Sequence, residues 1–212
     1  MKKLFPGHSF PRLNEDGSFQ IGDETNYILF SPDGEISLHG NARVLRELAF
    51  PLEGIGKGAT APTVTRLANS YGWAFTIGDD GYACFEVPLD WDSSTSIEIT
   101  MHLYVDEAYA FNSAEVRFQG TWSASPEDGS EAIDAATHTG TLDSGDINIP
   151  ATAKAEFEIS LGSIPAASLA AHDIVHILFS RIALAAGNDP AAEPVVTAVE
   201  YEWTANKLGE LL

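Results

Sequence analysis

An all-β fold, built as an antiparallel sandwich behind an extended N-terminal arm and hairpin, is what this sequence predicts. Three features carry the prediction. Short runs rich in β-branched and aromatic residues recur from residue 63 onward. Gly, Pro, Asn, Asp and Ser clusters separate them. Several runs alternate strictly between apolar and polar residues, the period of a strand with one buried face.

From the N-terminus, residues 1–22 are punctuated by Pro and Gly and read as an extended arm. In "NYILFSPDGEISLHG" two apolar runs flank Pro32-Asp33-Gly34. Proline pre-sets the turn and glycine accepts the positive φ, so a hairpin is expected. "NARVLRELAFPL" suits either one helical turn capped by Asn41 or a strand. The Gly-rich segment 53–63 suggests a boundary, giving an arm and hairpin over 1–60 and a sandwich over 61–212.

About eight strands follow. In "SIEITMHLYV", Ile97, Ile99, Met101, Leu103 and Val105 share a face opposite Glu98, Thr100, His102 and Tyr104. Val116 and Phe118 alternate with Arg117 and Gln119, and Val199, Tyr201 and Trp203 share a face of the last run. "SIPAASLAAHD" is the one short helix candidate. "HILFSRIAL" is apolar on both parities and reads as a central strand covered on both sides, the first arm of a C-terminal hairpin.

Composition narrows the function classes. The 212 residues, 44% hydrophobic, are enough for a full core. Eleven basic residues against 31 acidic ones give a net charge of −20, which repels nucleic acid and anionic lipid. No export signal is visible, since Pro6 and Gly7 break the apolar region after the basic start. The apolar run 174–186 is shorter than the roughly 20 residues a membrane helix needs. Cys84 is the single cysteine, so no internal disulfide forms, and it reads as a small buried hydrophobe.

Candidate chemistry is thin. His172 and His176 are four apart; on one strand that separation is about 13 Å, too far to share an ion. Asp128, Glu131, Asp143 and Asp146 lie in acidic loops without the spacing of a twelve-residue calcium loop, and read as solvated turns. No nucleophile elbow, phosphate-cradling glycine loop or H-E-x-x-H motif is present. A non-enzyme without metal or cofactor is therefore expected. Trp73, Trp91, Trp122 and Trp203 suit a core or subunit interface, with an exposed glycan platform at Trp91 or Trp122 as the alternative. Arg181, in the most apolar run, is expected to pair with a buried or interface carboxylate.

Two ends of the chain resemble a group of tailed-phage virion proteins. Gly22, Asp23, Asn26, Tyr27, Asp33, Gly34, Gly40, Ala42 and Val44 follow that group's opening pattern. Arg181, Asn188-Asp189-Pro190 and "VVTAVEYEW" are similar to its C-terminal end, whereas the His-rich middle strand of the group keeps only His102 here. The resemblance implies a jelly-roll-like sandwich in a virion, assembled with capsid or other virion proteins and with itself as a homotrimer. Capsid decoration or cement proteins and tail or fibre appendages both use such domains. The hairpin residues Tyr27, Phe30, Asp33, Gly34 and Leu38 would belong to the assembling segment. The alternative is a receptor- or carbohydrate-binding sandwich on a tail.

Overall fold

A computed structural model describes residues 11–67, 70–110 and 113–208. Its architecture is an antiparallel β-sandwich with a small sheet attached at one end. The small sheet is a meander of β1 (Arg12–Leu13), β2 (Phe19–Gly22), β3 (Tyr27–Phe30) and β4 (Ile36–His39). Next come β5 (Val44–Pro51), β6 (Gly56–Lys57), β7 (Thr63–Leu67), β8 (Ser70–Ala74) and β9 (Asp80–Glu86). Then follow β10 (Ile97–Val105), β11 (Glu115–Val116), β12 (Phe118–Ser125), β13 (His138–Asp143) and β14 (Ile147–Asn148). The chain closes with β15 (Phe157–Ile164), β16 (Ile174–Arg181) and β17 (Pro194–Ala205).

One wall of the sandwich runs β15-β10-β17-β8-β7, and β5 pairs with the last eight residues of β17. The other wall runs β13-β12-β16-β9-β6. The inward parity of each strand fills the space between. Ile97, Ile99, Met101, Leu103 and Val105 from one wall meet Phe118, Trp122, Val175, Ile177 and Phe179 from the other in a single core. Aromatic contacts knit it together. Phe75 lies edge-on to Phe118 at 5.6 Å and near Phe179 at 5.7 Å, while Tyr201 stacks on Phe85 at 4.1 Å and on Trp203 at 5.1 Å.

Cross-strand register explains one glycine. Gly140 on β13 lies directly opposite Trp122 on β12. A Cβ at 140 would sit 2.7–2.8 Å from the Trp122 indole. Gly140→Ala is expected to force that ring off its rotamer and to cost about 1–3 kcal/mol. Chemical denaturation of the variant checks it.

The fold departs from the sequence reading at several elements. β16 and β17 do not form a hairpin: β16 pairs with β12 and β9, β17 with β10, β5 and β8. The loop between them crosses from one wall to the other. β16 buries only Val175, Ile177, Phe179 and Arg181; its other parity is half-covered. "RVLREL" is strand, because β5 finds an eight-residue ladder on β17 that local preference cannot foresee. "SIPAASLAAHD" holds only the 3-10 turn Ala166–Ser168. Residues 12–22 form the β1–β2 hairpin rather than an extended arm, and 1–10 lie outside the described residues. β5 and β6, both before residue 60, pair with sandwich strands. Cys84 is exposed, since Ala83 and Phe85 take the inward parity of β9.

Candidate assembly surface

The N-terminal meander arises from local turn chemistry. Asp23 Oδ1 accepts the backbone N–H groups of Thr25 and Asn26, which closes the β2–β3 turn. Gly34 takes φ 96° in the β3–β4 turn after Pro32 and Asp33. Those turns set the register: Leu13 opposite Phe19, Phe19 opposite Phe30, Phe30 opposite Ile36, Ile21 opposite Ile28 and Ile28 opposite Leu38. Directly paired residues share a face. Seven apolar side chains, Leu13, Phe19, Ile21, Ile28, Phe30, Ile36 and Leu38, therefore lie on one side. Arg12, Gln20, Tyr27, Leu29, Ser37 and His39 take the other.

That apolar face is largely uncovered. Leu13 is 73% exposed, Ile21 41% and Phe19 39%, while Ile28, Phe30 and Ile36 are half-buried. Only Leu38, at 3%, is enclosed. It sits where β4 meets the chain beyond β17: Leu38 N–H donates to Asn206 O, Leu208 N–H donates to Ile36 O, and Lys207 pairs with Glu35 at 3.1 Å. The sheet is thus tied to the sandwich along one strand and open along the rest.

The expected hairpin residues divide between the two faces. Phe30 and Leu38 lie on the apolar side, with Phe30 tilted against Phe19 at 6.1 Å. Tyr27 lies on the opposite side and stacks on His39 at 4.1 Å. Asp33 and Gly34 form the exposed turn. The sequence reading missed Leu13, Phe19, Ile21, Ile28 and Ile36. The alternating pairs Phe19 and Ile21, Ile28 and Phe30, and Ile36 and Leu38 carried the signal.

Arg181 points inward from the end of β16 and is 4% exposed. Its Nη1 donates to the Phe75 carbonyl at 2.8 Å, and its Nη2 pairs with Asp189 at 3.1 Å. Asp189 belongs to the loop that crosses between the walls, so the pair pins that crossing.

The tryptophans correct the platform alternative. Trp91 and Trp122 are each 4% exposed and belong to the core. Trp91 Nε1 donates to Thr95 O, and Trp203 Nε1 to Asp90. Stacking on a sugar needs an open indole face, which neither Trp91 nor Trp122 offers. Trp73 is half-buried beneath Lys57, whose Nζ stands 4.3 Å from the ring centre.

The acidic candidates are held by local bonds. Arg117 takes Asp143 through Nε and Nη2 at 3.0 and 2.6 Å, and Asp146 at 3.5 Å through Nη1. Those bonds hold the Asp143 carboxyl below the usual aspartate range. Asp128 accepts the Ser130 N–H, and Glu131 accepts the Thr137 N–H. Among the described residues, Glu86, Glu127 and His172 form a group with metal-ligand spacing, their ligand atoms within 4.8 Å of one another. His172 Nδ1 lies 2.6 Å from Glu86 and 3.8 Å from Glu127, so the group also reads as an imidazole hydrogen-bonded to a carboxylate. His176 is not a member of that group. Near His172 is a cleft of about 420 Å³ whose lining includes Pro126, Glu131, His138, Leu169 and Asp173. Asp173 there accepts the Ala170 N–H.

The outer face of the β10 wall concentrates like charge. Glu98, Glu202 and Glu47 stand directly opposite one another on β10, β17 and β5. Burial raises the Glu202 carboxyl above the ordinary glutamate range, and repulsion from Glu200 and Glu47 adds to it. A raised acid stabilises the fold when protonated. That contribution is complete below the unfolded glutamate value near 4.3 and is lost as pH rises through the folded value. Glu202→Gln is therefore expected to gain roughly 0.5–1 kcal/mol at pH 7 and nothing below about pH 4. Thermal melts at the two pH values check this.

Among the described residues no helix is long and apolar enough to cross a membrane. No protein-family model matches the chain, and no curated protein does. Solved structures give distant likenesses. The CBM36-1 domain of a multidomain xylanase from the hindgut metagenome of Trinervitermes trinervoides aligns at TM-score 0.39 and 10% identity, over 79% of this chain and all of that domain. The infectious bursal disease virus Gt strain structure aligns at TM-score 0.33 and 11% identity, over 90% of this chain and 42% of that one. The VP2 subviral particle of that virus aligns at 0.31 and 11%, over 90% and 43%. The chain thus spans less than half the length of these viral chains.

Proposed function

We propose that the chain is a non-enzymatic structural protein of a phage particle, a capsid decoration or cement protein that works as a homotrimer. One observation carries this reading: the N-terminal sheet presents seven apolar side chains on one face, and six of them are exposed or half-buried. An open apolar sheet face is a liability for a free chain and an asset for an assembling one. The sandwich serves as the rigid block. The sheet, tied to it along β4, is the element that contacts neighbouring subunits and buries there what it cannot bury by itself. On a repetitive shell many such contacts add, so each need not be strong.

The carbohydrate-binding alternative loses its platform, because Trp91 and Trp122 are in the core. The test is co-sedimentation with virion particles of the host phage. Phe19→Glu with Ile21→Glu is expected to weaken binding about 10- to 100-fold, because a contact that desolvates this face strands two unpaired carboxylates. Undiminished binding of the double variant overturns the reading.

A further inference from the structure

We propose that Glu86, Glu127 and His172 hold a divalent transition-metal ion of the zinc type. The site belongs to the sandwich and is independent of the apolar face of the N-terminal sheet.

The fold brings the three residues together. β9, β16 and β12 are neighbours in one wall, and Ile174, the first residue of β16, stands opposite Glu86 on one side and Ser125 on the other. Glu86 ends β9, Glu127 follows shortly after the end of β12, and His172 comes just before β16. All three therefore reach the same end of that wall. Two backbone bonds fix the first and the last. His172 N–H donates to Val87 O at 3.0 Å, and Val87 N–H donates to Asp173 O at 2.9 Å. Between those bonds His172 takes φ 70°, in the left-handed region.

The spacing suits an ion. His172 Nδ1 is 2.6 Å from Glu86 and 3.8 Å from Glu127, and the ligand atoms of all three lie within 4.8 Å of one another. Bonds of roughly 2.0–2.2 Å in a tetrahedral shell put ligand atoms about 3.4 Å apart. The observed separations fall on both sides of that value. The side chains of Glu86 and Glu127 are 50% and 56% exposed, so their carboxylates can adjust without repacking the core. An ion would take the place of the proton that Nδ1 and Glu86 share in their hydrogen bond. Three protein ligands leave a further position for water.

Charge and donor type choose the occupant. Among the described residues neither Glu86 nor Glu127 pairs with a lysine or arginine, and His172 is the ion-pair partner of both. A neutral imidazole balances neither carboxylate, and a protonated one balances only one. A divalent cation balances both, and a chain of net −20 attracts cations. Calcium and magnesium favour shells made of oxygen alone, whereas an imidazole with carboxylates suits zinc.

Isothermal titration of the EDTA-treated full chain with Zn²⁺ tests the proposal. The expected result is a single ion bound per chain, not displaced by millimolar Ca²⁺, with a melting temperature that rises on binding. His172→Asn and Glu127→Gln are each expected to weaken Zn²⁺ by about tenfold or more and to abolish that rise. Asparagine accepts the left-handed backbone, and Glu127 is exposed, so both variants should fold, which circular dichroism checks. His138→Asn is the control: His138 lines the neighbouring cleft but is not a member of the group, and its loss is expected to change nothing. No Zn²⁺ binding, binding that both ligand variants retain, binding lost with His138→Asn, or binding of Ca²⁺ in preference to Zn²⁺ would each overturn the proposal.

Discussion

Replacing Arg181 with alanine is expected to lower the unfolding free energy by about 3–5 kcal/mol. Arg181 is 4% exposed, and its guanidinium holds two groups that belong to different parts of the sandwich. One is the Phe75 carbonyl, which accepts its Nη1 at 2.8 Å; the other is Asp189, at 3.1 Å, on the loop joining β16 to β17. Alanine leaves that carbonyl without its donor, opens a void beside Phe118, the register partner of Arg181, and releases the crossing loop. Two controls separate these effects. Arg181→Met refills the volume without the charge and is expected to recover more than half of the loss. Asp189→Asn removes the charge at a side chain 34% exposed and is expected to cost no more than about 1 kcal/mol. Urea unfolding of the three variants checks the order. Equal losses for Arg181→Ala and Asp189→Asn would show that the ion pair, rather than the buried volume and carbonyl bond, carries the stability.

Trp122→Ala is the second large effect. The indole lies between Gly140 on β13 and Ile177 on β16, directly opposite both, and is 4% exposed. Removing it deletes the largest side chain of the β12 row and is expected to cost about 3–5 kcal/mol. The same experiment bears on function. A glycan platform would lose sugar binding while keeping its fold. A core residue loses stability instead, so a marked drop in the denaturant midpoint is the expected result. An unchanged midpoint would mean that the indole packs against little.

What the sequence made legible was local. Alternation placed Ile97 to Val105 and Val199 to Trp203 on inward faces, and Pro32-Asp33-Gly34 placed a turn, because period and turn chemistry depend on neighbours in the chain. Pairing was not legible. Whether "RVLREL" became helix or strand depended on a ladder with residues about 150 positions away. β16 and β17 are adjacent in sequence yet sit in different walls, which no short-range signal distinguishes from a hairpin. The exposure of Cys84 was readable in principle, since Ala83 and Phe85 already claim the inward parity. The apolar face was half readable. Each pair in it alternates within its own strand, but its continuity requires the register of three successive pairings, and that depends on the Asp23 turn as well as on the Pro32 turn.

Hydroxyl-radical footprinting of the free chain and of the chain on assembled particles tests the central claim most directly. In the free chain, Leu13, Phe19 and Phe30 should label along with Leu45 and Ile133, which are 66% and 65% exposed elsewhere on the surface. On particles, Leu13, Phe19 and Phe30 should become protected several-fold while Ile133 continues to label. Equal labelling of the N-terminal sheet in both states, with protection appearing only on the sandwich, would contradict the account.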